Sequence, residues 1–331
     1  MNTSILKELL EEYEQKKIYA ELEVEKKKQK LFSSNTDFKK IEDSLNKCGI
    51  ELARASILSN ETLKNKLNKK IESLKSEKKE LLNKLNIDLS PRYECPICSD
   101  TGYITTNNKT ILCNCIKQKI FNIQYNKSNL SNLNHDNFEN FNINLYSDIP
   151  DQNLFNSKIS PRKNIELINK IVRNFIDNFN DPSEKNLLFI GNTGLGKTFL
   201  SNCIANELLK SGKTVLYQTS SVLFDTIIDY RFSKNNVPNN FYENILNVDL
   251  LIIDDLGTEC MNSMKFTELF NIINTRLLNQ NSKITKTIIS TNLTLKNLYN
   301  TYDERIVSRF VGYYNICKFY GEDIRFKNKN S

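Results

Sequence analysis

Tryptophan is absent from this chain of 331 residues, histidine occurs once, and only nine glycines and six prolines interrupt it. The single histidine, His135, leaves no material for chemistry built on paired imidazoles, and its polar surroundings read as solvent rather than a ligand shell. Long apolar runs are missing as well. Those present are strand-sized, well short of the ~20 residues a membrane-spanning helix needs. The opening residues, MNTSILKELLEEYEQKK, are charged and amphipathic, which excludes a secretory leader. These absences predict a soluble, cytoplasmic protein with no membrane partner. In that reducing compartment the eight cysteines read as metal ligands and core thiols rather than disulfides.

The length leaves room for two or three folded units. Lysine and arginine number 46 against 39 acidic residues, a formal net charge of +7. That surplus permits contact with nucleic acid without requiring it. No glycine precedes Gly49, and residues 1–90 are dense in Lys, Glu and Leu. Leu67, Ile71, Leu74, Leu81 and Leu85 fall at helical spacing, interrupted where Lys78 takes an apolar position. Ile5, Leu9 and Tyr13 mark another stripe. Breaks near Ser33 to Asp37 and at Lys47-Cys48-Gly49 predict two or three helices in antiparallel hairpins, a coiled-coil-like arm. Such an arm suits partner docking; packing on its own chain is the plainer alternative.

Residues 91–125 change character. Cys95-x-x-Cys98 and Cys113-x-Cys115 stand fourteen residues apart, with a turn at Asp100-Thr101-Gly102 between them. Four thiolates make a closed tetrahedral Zn²⁺ site with no open position, so the module is structural rather than catalytic. An iron–sulfur cluster, a redox pair or a chance grouping are the alternatives. Cys48, Cys203, Cys260 and Cys317 read as isolated thiols. Residues 126–160, rich in Asn and Ser, read as a linker whose Phe138, Phe141 and Tyr146 pack onto the next domain. In residues 161–331, helices alternate with apolar strands at Leu187–Ile190, Thr214–Tyr217, Leu250–Ile253 and Thr287–Ser290. The alternation predicts an α/β domain around a parallel sheet.

Three of the scarce glycines sit in one octapeptide, Gly191-Asn192-Thr193-Gly194-Leu195-Gly196-Lys197-Thr198. An apolar strand precedes it and a helix-compatible stretch from Phe199 succeeds it, the context a phosphate-binding loop requires. Backbone N–H groups can curl around a polyphosphate there, and the helix N-terminus adds partial positive charge. Lys197 reaches the β- and γ-phosphates of ATP, and the Thr198 hydroxyl helps hold Mg²⁺. Further on, Leu250–Ile253 ends in Asp254-Asp255-Leu256-Gly257. Asp254 suits Mg²⁺ and Asp255 the attacking water. If the strand ending in Ser290-Thr291-Asn292 lies beside the acidic one, the Asn292 amide can sense the γ-phosphate or that water. Arg305 and Arg309 lie four apart on one helical face, and Arg325 comes after them.

In this order the motifs GNTGLGKT, LIIDDLG, STN, ERIVSRF and a terminal Arg resemble AAA+ ATPases of the DnaC/DnaI helicase-loader branch, to which IstB-like proteins are related. The resemblance is specific over roughly residues 160–325. The cysteine module is similar to loader-type proteins of Gram-positive bacteria and their phages, and the arm matches only in position and character. The resemblance implies that Arg309 completes a neighbouring subunit's site in an ATP-dependent homo-oligomer, with Arg305 as the alternative. Arg325 is then a second sensor on its own subunit's γ-phosphate. It also implies a single-stranded DNA path through residues 221–247. Tyr230, Arg231 and Lys234 there could stack on bases and meet phosphates, while Phe224 reads as core. Asp255 departs from the usual Glu, and its shorter carboxylate implies slow hydrolysis. The expected function is ATP-dependent loading of a replicative helicase onto single-stranded DNA. Regulation of a transposase, as by IstB-type proteins, and a nucleotide-gated adaptor with negligible hydrolysis stay open.

Overall fold

The computed structural model describes residues 3–58, 60–106, 108–124, 135–150, 152–155, 157–232, 241–259, 263–279 and 283–326. Lys234 and Cys260 lie outside the described residues. The chain divides into two compact units: Lys7–Ile111, and Leu112–Ser331 with Met1–Leu6.

The first unit is built on helices α1 (Thr3–Ser34), α2 (Thr36–Ile57) and α3 (Glu61–Lys84), with a two-stranded sheet of β1 (Tyr103–Thr106) and β2 (Lys109–Leu112) after them. Asn35 separates α1 from α2, and its side chain accepts the N–H groups of Asp37 at 3.1 Å and Phe38 at 2.9 Å. The break expected at Gly49 is not there: α2 runs straight through it. A mid-helix glycine costs only about 1 kcal/mol, and the packing of α2 on α3 outweighs that. Cys48, Ala55 and Leu67 are buried between them, with Leu52, Ile71 and Leu74 alongside. Instead α2 ends at Ile57, and Asn60 caps α3 by accepting the Leu63 N–H at 3.1 Å. Lys78, the odd residue in the apolar stripe of α3, pairs with the buried Glu42 of α2, which Lys28 of α1 approaches at 3.4 Å. Burial raises the Glu42 carboxyl, but hydrogen bonding and charge from the two lysines outweigh it, and the net shift is downward.

The second unit opens with α4 (Asn114–Gln124), a 3-10 turn at Ile143–Leu145, and α5 (Gln152–Phe155). Then come α6 (Pro161–Asp177), β3 (Asn186–Ile190), α7 (Lys197–Lys210), β4 (Val215–Thr219), α8 (Ser220–Phe232) and α9 (Phe241–Asn247). The chain closes with β5 (Leu250–Leu256), α10 (Ser263–Asn279), β6 (Lys286–Thr291), α11 (Leu295–Tyr302), α12 (Glu304–Tyr313) and β7 (Tyr314–Lys318). The five strands pair in parallel in the order β4-β5-β6-β3-β7. Every residue of β3 is buried, as a strand covered on both faces must be. The strand β7 has no counterpart among the strands expected from the sequence. It is an edge strand, only partly covered, so it lacks the continuous apolar run that marks the others. The order places β6 between β3 and β5, so the loops after all three converge at one end of the sheet, where open α/β sheets bind ligands. Among the described residues no helix is long and apolar enough to cross a membrane.

One buried cation holds the opposite end. Arg276 of α10 donates to the carbonyls of Ile245 at 2.7 Å, Val248 at 3.0 Å and Lys286 at 2.6 Å, and to Thr287 Oγ1 at 2.9 Å. Arg276→Met keeps much of the volume and removes every donor. Each buried carbonyl left without one costs about 1–3 kcal/mol, so the unfolding free energy from urea titration should fall by at least about 3 kcal/mol. An unchanged midpoint and slope would contradict this role for Arg276.

Candidate functional site

The turn from β3 into α7 is shaped by glycine. Gly194 and Gly196 have φ of +73° and +86°, the left-handed region that L side chains rarely enter. A Cβ at Gly196 would meet the Tyr146 hydroxyl at 2.6 Å, and one at Gly194 would run into the Asp323 carboxylate. Lys197, only 5% exposed, arches back over the loop. Its ammonium donates to the carbonyls of Gly191 at 2.6 Å and Asn192 at 2.8 Å and to Asn292 Oδ1 at 2.7 Å, which uses all its protons. Burial pulls its pKa down, and the nearby charges of Asp255 and Asp254 offset only part of this. The strand ending in Asn292 lies beside the acidic strand, and the Asn292 amide is within reach of the loop.

Asp254 is almost wholly buried. It accepts from Thr198 Oγ1 at 3.0 Å, from the Tyr217 hydroxyl at 2.7 Å, and from Ser290 Oγ. The residues proposed to share a Mg²⁺ ion, Thr198 and Asp254, are thus already adjacent. Asp255 has a different setting. Its φ is +55°, its N–H donates to Ser290 Oγ at 3.0 Å, and the residue lines a cavity. Burial and the charge of Asp254 push its pKa up, with Lys197 pulling the other way.

That cavity, of about 660 Å³, is lined by Thr193 to Phe199, Asp255, Asn292, Ile324 and Arg325. Its remaining wall is His135, Asp136 and residues between Asn140 and Tyr146. The Tyr146 hydroxyl donates to the Leu195 carbonyl at 3.0 Å, and the Phe141 and Phe199 rings lie 6.2 Å apart. His135 is exposed, as expected, yet its ring meets Phe199 edge-on at 6.5 Å and borders the cavity. Residues read as linker thus supply an aromatic wall suited to a nucleobase and ribose. Phe141 and Tyr146 line the cavity, while Phe138, expected like them to pack onto this domain, lies against the core with Arg173 over its ring. At the phosphate end, the Ile324 N–H donates to the Gly194 carbonyl at 2.9 Å. Beside it, Arg325 Nε donates to Asp323 at 2.9 Å. No sequence motif signals the Asp323 partnership.

The profile of the family described as IstB-like ATP binding protein matches residues 134–331, beginning at this aromatic wall. The chain belongs to that family. Its ATP-binding domain has the AAA+ fold, with the loop-bearing strand second from one edge of the five-stranded parallel sheet. The replicative helicase loader DnaC of Escherichia coli (strain K12) is 28% identical over 137 residues, 41% of this chain and 54% of DnaC. The chromosomal replication initiator protein DnaA of Lachnoclostridium phytofermentans is 35% identical over 128 residues, 38% of this chain and 27% of DnaA. The chain spans about half the length, or less, of these curated relatives. Among solved structures, AMPPCP-bound DnaA from Aquifex aeolicus aligns with a TM-score of 0.44 at 24% identity, covering 59% of this chain and 54% of that one. The DnaI crystal structure aligns with a TM-score of 0.40 at 23% identity, covering 51% and 86%.

The two arginines of α12 are not among the described residues lining the cavity. Arg309 Nε donates to Asn274 Oδ1 at 3.3 Å, while Arg305 lies 3.4 Å from Asp303 and over the rings of Phe266 and Phe270. In α8, Phe224 is core, as expected. Arg231 is held by Glu268 at 2.9 Å and lies over the Tyr242 ring, and Tyr230 packs against the core. These contacts explain Arg231 and Tyr230 as structural residues without invoking DNA.

The sulfurs of Cys95, Cys98, Cys113 and Cys115 all lie within 4.8 Å of one another. Tetrahedral Zn–S bonds of about 2.3 Å put sulfurs roughly 3.8 Å apart, so the spacing and the all-thiol donor set fit zinc. Asp100, next to the first pair, accepts the N–H groups of Glu94 at 2.9 Å and Cys95 at 2.8 Å and fixes the turn. Cys48, Cys203 and Cys317 are buried apart from this cluster.

Elemental analysis of the purified chain should find one zinc per molecule, and Cys98→Ser should lose it; full zinc retention would remove Cys98 from the ligand set. At the nucleotide site, Gly196→Ala places a methyl against Tyr146 in a strained conformation. ATP affinity by isothermal titration should fall at least about tenfold, as expected for losing an oriented phosphate cradle. Wild-type affinity would contradict this geometry.

Proposed function

We propose that this chain is a Mg²⁺-dependent ATPase that binds a replicative helicase and loads it onto single-stranded DNA. The observation that carries the reading is the convergence of Lys197, Thr198, Asp254, Asp255, Asn292 and Arg325 on one end of the sheet. Thr198 and Asp254 would hold Mg²⁺, which neutralises developing phosphate charge, while Lys197 swings from its loop carbonyls to the β- and γ-phosphates. Asp255 orients and deprotonates the lytic water. Its short side chain keeps turnover slow. Arg325 leaves Asp323 for the γ-phosphate. Arg309, or Arg305, completes the site of a neighbouring copy, so ATP acts as an assembly switch.

The helical arm of residues 1–90 docks the helicase, and the zinc module of residues 91–125 braces it. Membership of the IstB-like family keeps transposase regulation as the second reading. The cysteine module favours the loader, since IstB-type chains are not expected to carry one.

Asp255→Asn should abolish ATP turnover while leaving ATP affinity within about threefold, because the amide cannot take a proton. Wild-type turnover in that variant would remove Asp255 from the mechanism. Co-purification of the full chain with replicative helicase, and its loss on deleting residues 1–90, tests the docking role. Retention after deletion would turn the reading towards the transposase regulator.

A further inference from the structure

We propose that Glu259 is the positioning residue that fixes the turn carrying Asp255 and joins it to α8 and α11. The proposal rests on the reading of Asp255 as the base for hydrolysis. Glu259 is 7% exposed and does not touch the cavity, so it acts through another group. Its carboxylate accepts from Ser220 Oγ at 2.6 Å, from the Gly257 N–H at 2.9 Å, and from the Tyr302 hydroxyl. Ser220 is the first residue of α8, Gly257 lies in the turn itself, and Tyr302 is the last residue of α11. One buried acid therefore ties three separate parts of the chain together.

The turn needs such a tie. Asp255 at φ +55° is in left-handed backbone, and strain of this kind in a non-glycine residue persists only where the surroundings over-determine it. The Asp255 carbonyl accepts from Thr258 Oγ1 and from Ser220 Oγ, each at 2.9 Å. The single Ser220 proton thus lies between that carbonyl and Glu259, with the carboxylate the closer partner, as a charged acceptor should be. Removing the carboxylate frees Ser220 and the Gly257 N–H together, and with them the backbone that aims Asp255. Burial and Glu259 both push the Tyr302 hydroxyl pKa up, which keeps it a donor to the acid. Tyr302 directly precedes Asp303, the cap of α12, the helix that carries Arg305 and Arg309. The same carboxylate thereby links the turn to the helix through which a neighbouring copy would be sensed.

Glu259→Gln keeps the shape but removes the charge: the amide oxygen can still accept from Ser220 and Gly257, the amide nitrogen reverses the bond to Tyr302, and every bond to the former carboxylate loses its charge assistance. Mg-ATP turnover should fall at least about tenfold, as for sub-ångström misplacement of a catalytic group. ATP affinity should stay within about threefold and the melting temperature close to wild type. Tyr302→Phe, which removes one donor and leaves the acid, should give a smaller fall in turnover with affinity unchanged; it also serves if Glu259→Gln does not fold. Turnover kept in both variants, or affinity lost in step with turnover, would overturn the positioning role. Turnover lost in Asp255→Asn but kept in Glu259→Gln would sink this proposal alone. A wild-type chain without turnover would overturn the hydrolytic reading and this proposal with it.

Discussion

The nucleotide-binding unit depends on the register in which β6 is held between β3 and β5. Thr291 is the hinge of that register. It stands opposite Ile190 on one side and Leu256 on the other, its carbonyl accepts the Gly191 N–H at 3.2 Å, and its hydroxyl donates to the Leu256 carbonyl at 2.6 Å. Because side chains alternate along a strand, a slip of one residue would turn every functional group at the strand ends to the wrong face. With the register set, the phosphate loop, Ser290, Asn292 and the paired acids meet without any of them being placed by a flexible loop.

The paired acids then divide their roles by environment, as neighbouring titratable groups in catalytic sites often do. Asp254 is surrounded by hydroxyl donors from Thr198, Tyr217 and Ser290, a setting for a metal-holding anion. Asp255, beside it in strained backbone, lines the cavity and has a raised pKa. Lys197 bridges the loop and Asn292, so the charge that would meet the phosphates is held at the loop and exchanges its carbonyl partners for them. The C-terminal turn closes the loop's other side, with Ile324 on Gly194 and Arg325 on Asp323.

The helical unit obeys a different rule. Its packing is a thin apolar seam crossed by a buried acid, Glu42, between lysines from the two neighbouring helices. A buried ion pair contributes little net stability but penalises alternative registers. That explains why the stripe of α3 tolerates Lys78, a residue that breaks the apolar pattern of the sequence.

Local signals were legible in the chain alone. The octapeptide, the apolar strand ending in Asp254-Asp255, the Ser290-Thr291-Asn292 strand end and the spaced cysteines each carry their chemistry within a few residues, so they determined the phosphate site, the acids and the thiol cluster. Gly49 misled, because glycine weakens a helix without ending it when one face is packed. Contacts between distant segments were decided by tertiary structure alone: the edge strand β7, the bond from the Tyr146 hydroxyl to Leu195, the meeting of Asp323 with Gly194, and the convergence of Ser220, Gly257 and Tyr302 on Glu259. None of these has a sequence period or spacing, because each depends on where the sheet order brings remote parts of the chain together.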